Sequence, residues 1–225
     1  MFWARSDSAV NLGEMIQAAP GVMASCVKCG SPLVPRCGQI KVWHFAHSNW
    51  GNRRLSADCE PWSEPEGKWH LAWKMRVPQN MREYVIKRMF IDQAGKESLG
   101  IHRADILNSR GTVIELQHSR ISLKDIRERE VFYNNMIWIW DAVDWRPNFY
   151  HPDRKNFSSP IRDYEGNCVF AWKNPRKALW DCTKPVFLHF GGQSIFRAFK
   201  FQRFKPYLVT GEFVDFGTFL KLFFV

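Results

Sequence analysis

The chain has 225 residues, 45% of them hydrophobic, and a formal net charge of +10 with a pI near 9.5. That length suits one large domain, or a medium domain with a small one attached. No stretch approaches the length that spans a bilayer, which excludes a helical membrane protein, and no membrane partner is expected. The positive balance favours polyanionic partners, nucleic acid above all.

The opening residues, MFWARSDSAV, lack a basic start followed by a continuous apolar run, so the expected location is cytoplasmic. Clustered cysteines there bind metal more often than they form disulfides. Residues 1–60 are rich in Gly, Pro, Cys, His and polar residues, and read as short strands and turns with little to bury. Within them Cys26-x2-Cys29 is followed by Trp43-His44-Phe45-Ala46-His47. A Cys-x2-Cys turn lets two thiolates reach one zinc ion, and Gly30 suits the turn. The preferred ligand set is Cys26, Cys29, His44 and His47, with Cys37 or Cys59 as alternates for one position. A segment with so small a core needs such a staple.

A helix start follows at Ser63-Glu64-Pro65-Glu66, with Ser63 as N-cap, and Pro78 stops the helix. Glu66, His70 and Lys74 are spaced i, i+4, i+8 and share one face, which is either a site or a solvated stripe. Trp69, Ala72 and Trp73 fall largely opposite. Strands are expected at Glu83–Ile91, Leu99–Leu107 and Thr112–Leu116. A charged helix spans Ser122–Asn134, capped by Ser122 and Asp125, and MIWIW at Met136–Trp140 is a buried strand. Beyond residue 145 the strand-like pieces are Cys168–Trp172, Pro185–Phe190 and Ser194–Phe201. This part is basic and aromatic, and reads as extra strands and a helix on the core or as a separate subdomain. The 11 Trp and 18 Phe of the chain either fill a core or offer rings on which bases stack.

The sharpest chemical signal is Arg103-Ala104-Asp105-Ile106 followed by Val113-Ile114-Glu115-Leu116-Gln117. Each acid sits in an apolar strand beside a turn. Two carboxylates there form an all-oxygen site suited to Mg²⁺ or Mn²⁺ rather than zinc. Such an ion polarises a phosphodiester and generates the attacking hydroxide. Read without an ion, Asp105 is a turn residue and Glu115 lies on an edge strand facing water.

These pieces together resemble the competence protein CoiA-like family. The resemblance rests on Cys26-x2-Cys29, His44-Phe45-Ala46-His47, Glu66-x3-His70-x3-Lys74 and Arg103-Ala104-Asp105. It continues through Ile114-Glu115-Leu116-Gln117-x-Ser119-x-Ile121-Ser122, Arg129-x3-Tyr133 and Ile137-Trp138-Ile139. It implies a PD-(D/E)xK nuclease domain behind a small metal-binding module, and a link to processing of DNA taken up by the cell. The general signature places a lysine two positions after the Glu, where this chain and the CoiA-like pattern have Gln117. Lys74 can stand in for it.

The resulting expectation is an α/β, PD-(D/E)xK (restriction-endonuclease-like) core over residues 61–144. A zinc module precedes it over 1–60, and a basic aromatic region follows over 145–225. The expected function is metal-dependent hydrolysis of nucleic acid, DNA favoured. Asp105 and Glu115 hold the ion, and Glu66 and His70 belong to the site. Gln117 and Lys74 position water or steady phosphate charge, and Arg103, Arg120, Arg127 and Arg129 contact the phosphate backbone. The alternatives are a non-catalytic nucleic-acid-binding module on a degenerate nuclease fold, and a zinc-containing protein-interaction module.

Overall fold

The computed structural model describes residues 1–10, 12–39, 41–48, 59, 67–91, 95–150, 160–192 and 194–225. The chain forms two compact units, residues 1–90 with 97–107 and residues 91–96 with 108–225.

The first unit opens with five short strands: β1 (Trp3–Ser6), β2 (Met15–Gln17), β3 (Ala24–Ser25), β4 (Pro32–Arg36) and β5 (His44–His47). They pair in the order β2-β1-β3-β4-β5, antiparallel throughout. The core beneath them is Ala4, Ala18, Ala24, Leu33 and Phe45 together with the thiols of Cys26 and Cys59. Three alanines, one Leu and one Phe bury little apolar area, so this sheet depends on a cross-link.

Helix α1 (Lys68–Lys74) follows, and its expected start at Ser63–Glu66 lies outside the described residues. At its first turn the His70 ring Nδ1 accepts from the Gly67 amide at 3.4 Å. The helix ends at Met75, ahead of Pro78. Arg82 fastens the turn that leads into β6 (Arg82–Ile91), donating from Nε and Nη2 to the Val77 carbonyl at 2.8 and 2.6 Å. Its guanidinium also lies 5.1 Å from the Trp3 ring centroid. Strand β6 neighbours β7 (Glu97–Leu107).

The second unit contains β8 (Val113–Gln117), α2 (Leu123–Tyr133) and β9 (Met136–Asp141). Strands β8 and β9 are parallel, as a connection through a helix permits. Ser122 caps α2, its hydroxyl accepting from the Asp125 amide at 3.1 Å. All five residues of β8 are buried, which is the pattern of a strand covered on both faces. Glu115 therefore lies inside the second unit and not on a water-facing edge.

The later part of this unit holds β10 (Phe149–Tyr150), β11 (Ile161–Arg162), β12 (Cys168–Trp172), β13 (Val186–His189), β14 (Ser194–Gln202), β15 (Leu208–Asp215) and α3 (Phe216–Phe223). The sheet order is β10-β12-β15-β14-β13-β9-β8, with β11 beside β12. Strand β13 runs parallel to β9, and the pairs from β13 outward are antiparallel. The basic aromatic region thus shares one sheet with β8 and β9. Trp140, Trp145, Trp172 and Phe149 form a continuous row of rings, with successive centroids 5.9, 5.9 and 4.5 Å apart. Much of the aromatic content is core. No helix among the described residues is long and apolar enough to cross a membrane.

Candidate functional site

The N-terminal sheet brings together Cys26, Cys29, His47 and Cys59, whose ligand atoms all lie within 4.8 Å of one another. Gly30, at φ +70°, closes the knuckle by donating its amide to the Cys26 carbonyl at 2.8 Å. Cys26 Sγ is 3.6 Å from Cys59 Sγ, and Cys29 Sγ is 3.4 Å from His47 Nε2. Ligands about 2.0–2.3 Å from a tetrahedral zinc stand roughly 3.5–3.8 Å apart, so the donor set fits the ion. Burial raises the Cys29 thiol, but hydrogen bonds with Ser31, Cys59 and His47 outweigh it and bring the pKa down to about 6. Burial, with Cys29 and Cys26 beside it, pushes the Cys59 thiol up. A bound cation stabilises all three thiolates at once.

His44 does not join this cluster, which corrects the preferred ligand set. The HFAH segment is strand β5, so side chains alternate faces and residues three apart point opposite ways. His44 Nδ1 instead lies 2.8 Å from the Val42 carbonyl. Cys59 takes the fourth place, and Cys37 stays outside. Cys59→Ser is expected to remove most of the zinc that purified protein carries, about one ion per chain. His44→Ala should keep it. Elemental analysis of both variants, kept reduced, checks the assignment, and the reverse pattern would refute it.

The first unit also holds a buried charge cluster. Lys74, on the last turn of α1, is fully buried. Its ammonium donates to Glu83 Oε1 at 3.0 Å and lies 2.8 Å from Asp105 Oδ1. Arg103 Nε stands 3.4 Å from Glu83 Oε2. Two cations and two carboxylates thus converge from α1, β6 and β7. Asp105 is the more open acid, its side chain 21% exposed, while Glu83 is closed off. Glu83 adopts φ +49°, a conformation that costs a side-chain-bearing residue about 1–3 kcal/mol. Buried ion pairs are rarely the cheapest filling for a core, and strain at the same residue marks a site candidate.

Glu83 was not singled out from the sequence, because an acid at a strand start reads as solvated. The shared face of His70 and Lys74 is buried, not a solvated stripe, and of the residues expected opposite, Trp73 is buried as well while Ala72 is exposed. Glu66 lies outside the described residues.

In the second unit Glu115 accepts from Arg129 Nη1 at 2.7 Å, both side chains buried, and the guanidinium lies 5.7 Å from the Trp138 ring centroid. Gln117 is buried and donates from Nε2 to the Ser119 carbonyl at 3.2 Å. Glu130 beside them is structural. It accepts from Trp138 Nε1, the Thr183 amide and hydroxyl, and the Lys184 amide at 2.6–3.2 Å, tying α2 to the start of β13.

Two of the four arginines expected at the phosphate backbone are buried against acids. Arg129 and Arg103 face carboxylates in closed surroundings, because a buried acid is stable only with a partner charge. Arg120 and Arg127 are exposed and remain available to a polyanion.

A family model described as competence protein CoiA, N-terminal domain, matches residues 23–52. The match supports the CoiA-like resemblance over the module that supplies Cys26, Cys29 and His47. No curated protein and no solved structure matches the chain.

Proposed function

We propose that this chain is a competence-related nuclease on a PD-(D/E)xK-type core, hydrolysing phosphodiester bonds in DNA with Mg²⁺ or Mn²⁺. The observation that carries the reading is Lys74, buried against Glu83 and a partly open Asp105. Carboxylate oxygen suits a hard divalent cation, so Asp105 would hold the ion. The ion supplies Lewis acidity and an acidified water. Glu83 orients Lys74, and the Lys74 ammonium steadies charge on the scissile phosphate, the role that Gln117 cannot fill. The four-residue cluster of Cys26, Cys29, His47 and Cys59 is structural, holding the N-terminal sheet around zinc. The formal charge of +10 favours nucleic acid as the partner.

A second reading, binding without cleavage, is favoured by a specific observation. Lys74 already occupies Asp105 Oδ1, and the general motif lysine is replaced by Gln117. Zinc-loaded protein incubated with single- and double-stranded DNA and RNA separates the two. The nuclease reading expects cleavage only when Mg²⁺ or Mn²⁺ is added, and affinity that falls steeply with salt. Salt-sensitive binding with no cleavage at any divalent concentration selects the second reading. Binding unchanged between low and moderate salt removes both.

A further inference from the structure

A groove of about 450 Å³ opens in the second unit beside β14, at a distance in sequence from every motif discussed above. Trp180, Lys184, Arg197, Phe199, Lys200 and Arg203 contribute to its lining, and no acidic residue does. Arg197 stands 3.3 Å from Glu212 and Arg203 3.8 Å from Asp181, both as surface pairs. Such pairs are worth little and yield readily to a phosphate. Lys200 is exposed and makes no ion pair among the described residues.

The backbone of β14 sets an exposed ring next to an exposed cation. Ala198 pairs with Gly211 and Lys200 with Thr210, so Phe199 is an extra residue in β14, a β-bulge. Phe199 continues the outward alternation of Arg197 and is 47% exposed, and after the bulge Lys200 is exposed as well, so an open ring and a cation stand side by side. Gly211 permits the close approach of β15 there, since a Cβ would lie 2.1 Å from the Arg197 carbonyl and 2.6 Å from the Phe196 ring. Cations sit over the exposed Phe199 ring and the half-buried Trp180 ring. The Arg197 guanidinium is 5.9 Å from the Phe199 centroid and the Lys177 ammonium 6.0 Å from that of Trp180.

Cations interleaved with one open and one half-buried aromatic ring match an unpaired nucleic-acid strand, which offers phosphates and unstacked bases together. A duplex offers this groove phosphates alone, and an acidic peptide has no bases for the rings. We propose that this groove binds single-stranded nucleic acid, with phosphates against Lys184, Lys200 and Arg203 and bases against Phe199 and Trp180. The proposal shares with the nuclease reading only its polyanionic partner.

The test is fluorescence anisotropy of labelled oligothymidine and of a duplex with full-length, zinc-loaded protein and no added divalent ion. Phe199→Ala and Lys200→Glu are compared with the wild type, with thermal melts of each. Phe199→Ala is expected to weaken single-strand binding by about tenfold and leave duplex binding unchanged. Lys200→Glu should weaken both and flatten the salt dependence by about one unit of slope. Wild-type affinity in both folded variants, no single-strand binding by the wild type, or an equal loss on the duplex in Phe199→Ala overturns the proposal. So does displacement by polyglutamate as effective as by oligothymidine at equal charge. Because binding is read without cleavage, an inert protein that binds through the groove defeats the nuclease reading alone. A protein that cuts but ignores both substitutions defeats the groove alone.

Discussion

Lys74→Met is expected to lower the melting temperature of the first unit by more than about 10 °C. The substitution keeps the length of the side chain and removes the charge that Glu83 and Asp105 share at 3.0 and 2.8 Å. Breaking a buried pair by deleting one partner costs about 3–5 kcal/mol, because the remaining charge has neither water nor a counter-ion. Arg103, 3.4 Å from Glu83 Oε2, and the Phe2 amide, donating to Oε1 at 3.4 Å, limit the damage without replacing the ammonium. Adding Glu83→Leu to Lys74→Met should recover part of the loss, since the uncompensated charge is then gone. Circular dichroism melts of the two single variants and the double variant measure this. A single Lys74→Met variant that melts with the wild type would show that the cluster does not act as a charge network.

Arg129→Met should destabilise the second unit by a comparable amount. Its guanidinium donates to Glu115 Oε2 at 2.7 Å, and the pair is closed off between α2 and β8. Arg129→Glu is worse, placing two carboxylates in one buried space. Loss of nucleic-acid affinity in that variant would therefore report unfolding and not a lost phosphate contact. Arg127→Glu is the clean surface probe. The same contact sets the sign for Glu115. Two facing acids without an ion would gain stability when one is neutralised, whereas Glu115→Gln leaves Arg129 without its carboxylate and should cost stability. Denaturant unfolding of Arg129→Met, Glu115→Gln and the double variant checks it: each single is expected to lose stability and the double to lose less than the two singles summed. Additive small effects would refute the pairing.

The order of elements after residue 67 was largely legible because it follows from local pattern. The Ser122 cap, the apolar run Met136–Trp140 and the strand at Cys168–Trp172 each carry their own period and punctuation. The ligand set was half legible. Cys26-x2-Cys29 announces itself by spacing, whereas choosing His47 over His44 requires knowing that HFAH is a strand, where parity decides the face. Cys59 joins the site from far along the chain, and no local signal marks it.

Burial of charge was the least legible feature. Lys74, Glu83 and Arg129 sit in polar-looking stretches, and α2 shows little separation of polar from apolar faces, so partners had to come from tertiary structure. Strand β15 and α3 were missed because Gly211 interrupts the one, and the other is a short, aromatic-rich helix that reads equally as strand. Asp215 does cap α3, accepting from the Thr218 amide at 2.9 Å, and that spacing was the available clue.

The most direct test of the proposed function is Asp105→Asn. An amide keeps an oxygen for Lys74 and removes the charge that would hold the divalent ion, so the fold is expected to survive. DNA cleavage is measured in Mg²⁺ and Mn²⁺, beside thermal melts with and without each ion. The nuclease account predicts a loss of at least about two orders of magnitude in rate. It also predicts an ion-dependent rise in melting temperature for the wild type that the variant lacks. A well-folded Asp105→Asn variant that cuts at the wild-type rate would contradict it.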